Sequence, residues 1–399
     1  MGKPKQSKER GLRTVLNING RIELRRIRWY AEGEGSDSPL DRLIDKLESA
    51  VSVGVRELCC RLGIAGGSFA RSAENLDRAA QVKMSEEQYR TLVESDGKAV
   101  LAAARTEQLE IDWSASQCKT KTPEGKEISR ITISADGVMT PVTTTAEKLK
   151  RRETVLKKRQ ENPAPAGRKR PRLPAVKTGS DQRYKQMYLT AFYSQDQEHR
   201  LVSVTRQDHH GLGKLLRRDA AVLRIKAADE KLGVVDGAVC LRNHMEELPL
   251  SAVILDFYHL SEHVHAARRG TFGEESPEGQ QWATQVLHTV RHEGYEPFWD
   301  QLQEWRKTQR RGPKRKCADE LLHYVAQRKE MMNYPEYERR GWNIGSGPIE
   351  SMCKATTRRI KGPGMRWDRD NAEAMMALEA LYQSNLWDRY WQKALYNQN

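Results

Sequence analysis

Three runs in this chain carry strand-forming residues into an aspartate, and they constrain the fold more than any other feature. Residues 128–136 alternate, with Ile131, Ile133 and Ala135 on one face and Thr132, Ser134 and Asp136 on the other. Residues 232–236 and 252–256 are short apolar runs that end on Asp236 and Asp256. Two further runs, 184–194 and 200–205, also read as strands. Apolar strands interleaved with helical segments imply an α/β core whose sheet is covered on both faces. After residue 260 the pattern is helical to the end, broken at Gly312-Pro313, Gly347-Pro348 and Gly362-Pro363.

Charge narrows the function. The 399 residues carry 68 Lys and Arg against 54 Asp and Glu, a formal net charge of +14, and 38% are hydrophobic. An excess of that size points to a polyanionic partner. It is clustered in four places. Residues 3–28 hold nine basic residues against Glu9 and Glu23, and residues 148–177 hold twelve against Glu153 and Glu161. The other clusters are 306–316 and 357–369. The Pro-containing stretch 161–177 is expected to be an exposed basic loop, since it suits neither helix interior nor central strand.

No run approaches the roughly 18–20 apolar residues of a membrane span, and the first residues lack a signal peptide's apolar stretch. Gln6 stands where a myristoylation signal at Gly2 wants Ser or Thr. Six scattered cysteines without a CxxC argue against a disulfide framework or structural zinc, and a reducing compartment is expected. The expected partner is therefore DNA and not a membrane.

Residues 36–85 are expected to be helical. Pro39, Leu40, Leu43, Ile44 and Leu47 suit a first helix, and two short helices about the Gly66-Gly67 break follow. That pair suits a helix-turn-helix presenting Ser68, Arg71, Ser72 and Asn75, although helical hairpins are common without DNA.

Asp136 and Asp236 are each followed by Gly, which either opens space for a substrate or marks an ordinary Asp-Gly turn. Glu350 lies on a helix expected to begin near residue 348 and stop at Gly362-Pro363. It heads a stripe of Lys354, Arg358 and Lys361, with Met352, Ala355, Thr356 and Ile360 toward the core. That glutamate either helps bind a cation or favours the helix N-terminus and pairs with Lys354. Two strand-end aspartates and a helical glutamate form a hard oxygen set suited to Mg2+, with Mn2+ as a substitute.

These residues carry a resemblance. The segments 134–142, 234–264, 343–367 and 374–391 resemble a bacterial insertion-sequence transposase of the DDE type, closest to the ISKra group and more distantly related to the Mutator-like superfamily. The resemblance implies a ribonuclease H-like core with an all-helical insertion between the second Asp and the Glu. It makes Asp136, Asp236 and Glu350 the metal ligands. Asp256 and His259 match the family's Asp-x-x-His motif and take a supporting role, His259 being otherwise a helix-cap or core residue. Lys354, Arg358, Arg359, Lys361 and Arg366 would hold DNA phosphates, with Arg71 and Asn75 reading transposon ends. Trp367 either stacks on a base or seals the core. Cys240 stands where the family has a bulky aromatic.

The expected domains are a basic arm (1–35), a helical DNA-binding domain (36–100) and a ribonuclease H-like core (105–259) with a basic loop at 145–180. A helical insertion (260–340) and a C-terminal helical part (341–399) follow. The implied reaction is two-metal-ion hydrolysis at transposon ends followed by transesterification into target DNA, by a homo-oligomer acting in the cytoplasm near the nucleoid. Two other readings stay open: a DNA-binding regulator or domesticated copy with a silent core, and a structure-specific metal-dependent nuclease that cuts without joining.

Overall fold

A computed structural model describes residues 5–31, 33, 35–38, 50–165, 168 and 170–396. The expected helix around Leu40 to Leu47 lies outside these residues. The chain is mixed α/β, with fourteen α-helices and a mixed sheet among the described residues. It divides into two compact units. Unit 1 comprises residues 1–110, 139–186 and 355–399, and unit 2 comprises 111–138 and 187–354.

In unit 1, β1 (Gln6–Asn17) and β2 (Gly20–Ala31) form an antiparallel hairpin, with β3 (Gly35–Asp37) added to β2. The expectation was a basic arm without strands, and the correction has a simple cause. Alternating Leu12, Thr14, Leu16 and Ile22, Leu24 carry a period of two beneath the charge. Gly20, at φ +103°, closes the turn at an angle that suits glycine. The turn end of the hairpin is tied down where Leu16 N–H donates to Ala50 O and Ser52 N–H to Leu16 O.

Three helices follow: α1 (Val53–Ala65), α2 (Phe69–Ala80) and α3 (Glu86–Arg105). Each opens on a serine, Ser52, Ser68 or Ser85, whose hydroxyl accepts from the backbone three residues on. The α1–turn–α2 pair sits where the helix-turn-helix was expected. One of its four proposed readers is misplaced, however. Ser72 is buried, and its hydroxyl donates to Leu62 O at 3.0 Å, satisfying a carbonyl at the end of α1. Arg71 and Asn75 are exposed.

The stretch expected as a basic loop at 145–180 is helical in its first half. There α4 (Thr145–Glu161) starts in a capping box between Thr144 and Glu147. The helix stops before Pro163 and Pro165, as the proline content required. Helices α13 (Arg369–Gln383) and α14 (Trp387–Tyr396) complete the unit. Helix α13 packs on α3, bringing Arg105 to Glu373 at 2.6 Å.

Unit 2 is built on a six-stranded sheet. Its strands are β4 (Lys119–Lys121), β5 (Glu127–Pro141), β6 (Tyr184–Ser194), β7 (Arg200–Thr205), β8 (Glu230–Val235) and β9 (Ala252–Leu255). The order is β7-β6-β5-β8-β9, with β4 also pairing β5. Strands β6 and β7 are antiparallel, whereas β8 is parallel to both β5 and β9. Helix α5 (His209–Val222) links β7 to β8, and α6 (Val239–Glu246) links β8 to β9.

Both faces of β5 are buried: Ile131 and Ile133 on one, Thr132 and Ser134 on the other. The polar face is tolerated because its groups find partners, as when Ser134 Oγ meets Tyr193 Oη at 3.2 Å. After β9 come α7 (Phe257–Phe272), α8 (Pro277–His292), α9 (Tyr295–Thr308), α10 (Pro313–Ala326) and α11 (Tyr334–Arg339). Trp282 and Trp305 pack 4.3 Å apart between α8 and α9. Helix α12 (Gly347–Arg358) follows, beginning in unit 2. No helix among the described residues is long and apolar enough to cross a membrane.

Candidate active site

The parallel ladder aligns three aspartates. Ser134 pairs with Val234, and Val235 pairs with Leu255. Carried forward, that register puts Asp136, Asp236 and Asp256 on one row across β5, β8 and β9. Adjacent strands are about 4.8 Å apart, so backbone pairing alone crowds carboxylates at this edge. Asp256 N–H still donates to Val235 O at 2.9 Å, which fixes the third aspartate to the end of the second strand.

The three differ in their local backbone. The expected Asp-Gly turn at Asp136 does not occur, because β5 runs on to Pro141. Its Oδ1 accepts from Gly137 N–H at 2.6 Å, and the Cys353 thiol bonds the same carboxyl. Burial raises the Asp136 pKa, Asp236 adds to the rise, and Cys353, Gly137 and His259 oppose it. At Asp236 the strand does end, and Oδ1 accepts from Ala238 N–H at 2.8 Å. Gly237 then sits at φ +82°, and a Cβ there would lie 2.5 Å from Arg328 Nε. Glycine is thus required both by conformation and by close approach.

Asp256 is fully buried and caps α7. Its Oδ2 accepts from His259 N–H at 3.0 Å and sits 2.5 Å from His259 Nδ1, while Oδ1 accepts from Ser346 N–H at 2.7 Å. The side-chain bond to Asp256 lifts the His259 pKa to about 9 against the opposing effect of burial. His259 is therefore a cation at neutral pH, and the helix cap is Asp256 rather than the histidine. Burial works to raise Asp256, but His259 and the two backbone donors hold its carboxyl below the usual range.

Glu350 arrives on the first turn of α12. Ser346 Oγ donates to its Oε1 at 3.1 Å, and Lys354 Nζ stands 3.8 Å from Oε2. Ser346 thus ties Asp256 and Glu350 together through one residue. Among the described residues, the group whose ligand atoms all lie within 4.8 Å of one another is Asp256, His259 and Glu350. The expected metal set of Asp136, Asp236 and Glu350 is not brought to that spacing.

Hard oxygens dominate the donor set, and the repulsion that Asp236 exerts on a half-buried Asp136 is what a divalent cation cancels. The residues fit Mg2+. Next to this site the His263 ring stacks on Tyr324, with centroids 3.6 Å apart.

Sequence reasoning missed the residues that hold the Asp236 turn. Arg328 Nε donates to Gly237 O at 2.8 Å, and Tyr324 Oη donates to Asp236 O at 3.2 Å. The Arg328 guanidinium also lies 3.8 Å from the Tyr324 ring centroid. The faint signal was an Arg four residues after a Tyr on one helical path, which has many other meanings.

Of the five proposed phosphate holders, Lys354, Arg358 and Lys361 are exposed and Arg366 is half-buried. Lys361 lies beyond the end of α12, so the expected helical stripe stops at Arg358. Arg366 donates to Arg183 O at 3.2 Å. Arg359 must be corrected. It is buried, donates from Nε to Gly63 O at 3.2 Å and lies over the Phe69 and Trp367 rings, which makes it part of the core of unit 1. Trp367 is likewise buried, its indole N–H donating to Ile360 O at 3.1 Å, so it seals the core and stacks on no base.

No family model matches the chain, and no curated protein does. Among solved structures it is similar to the Drosophila P element transposase strand transfer complex. That likeness has 9% identity and a TM-score of 0.29, over 85% of this chain and 80% of the other. At that level the likeness is too faint to carry an argument for fold or activity.

Proposed function

We propose that the chain is a DNA transposase of an insertion sequence, of the DDE type and nearest the ISKra group, with a ribonuclease H-like core. The carrying observation is the row of Asp136, within β5, and Asp236 and Asp256, just past the ends of the parallel strands β8 and β9, with Ser346 joining Asp256 to Glu350. The strand order, with β5 central between an antiparallel pair and a parallel pair, supports that core.

Asp136, Asp236 and Glu350 would hold Mg2+, which when bound supplies Lewis-acid stabilisation of both the attacking and the leaving oxygen of a phosphodiester. The chain's own residues do the rest. His259, kept protonated by Asp256, places a fixed positive charge beside the acidic row, where a scissile phosphate develops charge. Arg328 and Tyr324 hold the backbone after Asp236 so that its carboxylate does not wander. Lys354, Arg358, Lys361 and Arg366 would bind backbone phosphates, and Arg71 and Asn75 would face DNA from α2. Water is the first nucleophile, and the 3′-hydroxyl it releases is the second.

The test is strand cleavage and joining on duplexes carrying the inverted repeats that flank the gene, with Mg2+ and with Mn2+. Cleavage and joining that Asp136→Asn, Asp236→Asn and Glu350→Gln each abolish, with DNA binding kept, support the reading. Cutting without joining indicates a nuclease, and binding without cutting indicates a silent core.

A further inference from the structure

The hairpin β1–β2 carries a second DNA contact that the catalytic reading does not need. Pairing in the hairpin places Arg10 opposite Ile27, Leu12 opposite Arg25, Thr14 opposite Glu23 and Leu16 opposite Arg21. Cross-strand partners share a face, so these residues form one surface. All but Leu16, beside the turn, are exposed, with Leu12 57% and Ile27 42% accessible. The opposite face is covered: Val15 is buried, and Ile22, Leu24 and Arg26 are half-buried. The ribbon therefore has an inner side and an outer side, and the outer side alternates guanidinium with aliphatic groups.

Its charge decides what the outer side fits. Residues 6–31 hold seven basic residues against Glu9 and Glu23. Burial lowers the Arg26 pKa, and repulsion from Arg13 and Arg28 lowers it further. A second copy of the same face would add to that repulsion. A polyanion relieves it.

We propose that the outer face of the β1–β2 hairpin lies in the major groove of duplex DNA, with Arg10, Arg21 and Arg25 on phosphates or base edges and Leu12 and Ile27 against the groove wall. A two-stranded ribbon has the width for that groove. Arginine can take a guanine edge bidentately, while aliphatic groups contact thymine methyls. The contact is independent of the metal chemistry, because hairpin binding requires no cation.

The experiment measures binding of the full chain to a 30-base-pair duplex by fluorescence anisotropy, without divalent metal, across a series of salt concentrations. The triple variant Arg10→Ala, Arg21→Ala, Arg25→Ala is expected to bind roughly 30-fold more weakly. Its salt slope should fall by about 2 to 3, one per lost phosphate contact. The matching triple Lys variant should retain most of the affinity. Methyl green, a major-groove ligand, should compete with the parent protein, and netropsin should not. An Ala variant with unchanged affinity and slope overturns the proposal. So does an equal loss in the Lys variant, which assigns the effect to folding. Loss of binding to anionic vesicles with the duplex isotherm unchanged assigns the face to a membrane instead. Binding is read without divalent metal and cleavage with it, so failure here and failure of cleavage are separate results.

Discussion

Asp136 and Asp236 stand on one rung of the β5–β8 ladder, two residues beyond the paired Ser134 and Val234. Backbone pairing thereby sets the spacing of their carboxylates before any side chain is chosen. Burial raises the Asp136 pKa, and repulsion from Asp236 adds to it. An acidic group whose folded pKa is raised stabilises fully below its unfolded value near 3.8, and that contribution is lost as pH rises through the folded value. Metal-free Asp136→Asn should therefore melt higher than the parent at pH 7 while its cleavage rate falls at least about 100-fold. Adding Mg2+ should raise the parent's melting temperature and leave the variant's nearly unchanged. Differential scanning fluorimetry with and without Mg2+ checks both.

The His259–Asp256 pair predicts a different pH dependence. Its folded pKa of about 9 exceeds the ordinary 6.5, so its stabilisation is complete below about 6.5 and disappears as pH rises through about 9. The ring is 35% exposed, and after solvent screening the effect should be about 1 kcal/mol. Urea melts of the parent at pH 6.5 and pH 9.5 should differ by that amount, and His259→Gln should remove the difference.

Gly237→Ala forces a Cβ to within 2.5 Å of Arg328 Nε at a φ of +82°. The substitution should destabilise unit 2 by about 2 kcal/mol or more and cut cleavage with it. Arg328→Lys keeps the charge but loses the fork that spans Gly237 O and Tyr324 O. Its cleavage rate should fall more than its melting temperature does. Equal fractional losses in rate and folded population would show that Arg328 only supports the fold.

Arg358 and Arg359 are neighbours with opposite fates. Arg359→Ala removes a buried cation from over two aromatic rings and should cost about 2–3 kcal/mol in unit 1. Arg358→Ala, at an exposed position, should leave stability within about 0.5 kcal/mol and weaken DNA binding. Chemical denaturation beside anisotropy separates the two.

Buried Asp96 offers a test within unit 1. Arg56 donates to it through both Nε and a terminal nitrogen. Arg56→Ala leaves the carboxylate unpaired and should cost about 3 kcal/mol, whereas Arg56→Met with Asp96→Leu should recover most of that loss. The double-mutant cycle reads the coupling directly.

How far the sequence could be read depends on which residues carry local pattern. The strands 128–136, 232–235 and 252–255 announced themselves by alternation or apolar runs, and helices α1 and α2 by the Gly66-Gly67 break between them. The hairpin did not, because in Gln6–Ala31 its period of two is diluted by arginines that resemble a disordered basic arm. Helix α4 was hidden by the prolines that follow it. In the candidate site, Asp136, Asp236 and Glu350 are singled out by sequence, but the common register of the two aspartates is not, since register between strands so far apart in sequence leaves no local trace. The roles of Ser346, Cys353 and Arg328 likewise exist only once α7, α10 and α12 have packed. Arg359 failed for the converse reason: in a run of basic residues, nothing in the local sequence tells the one that is buried from those that face solvent.

The rung between β5 and β8 has one more consequence. The proline-rich stretch after α4 has no part in the β5–β8 pairing that leads to Asp136 and Asp236, whereas β6 pairs β5 on its other edge and belongs to the same sheet. That stretch can lengthen, shorten or change its charge without displacing either carboxylate. A lineage of such proteins is free to rewrite what it grips while the spacing of its acids stays the same.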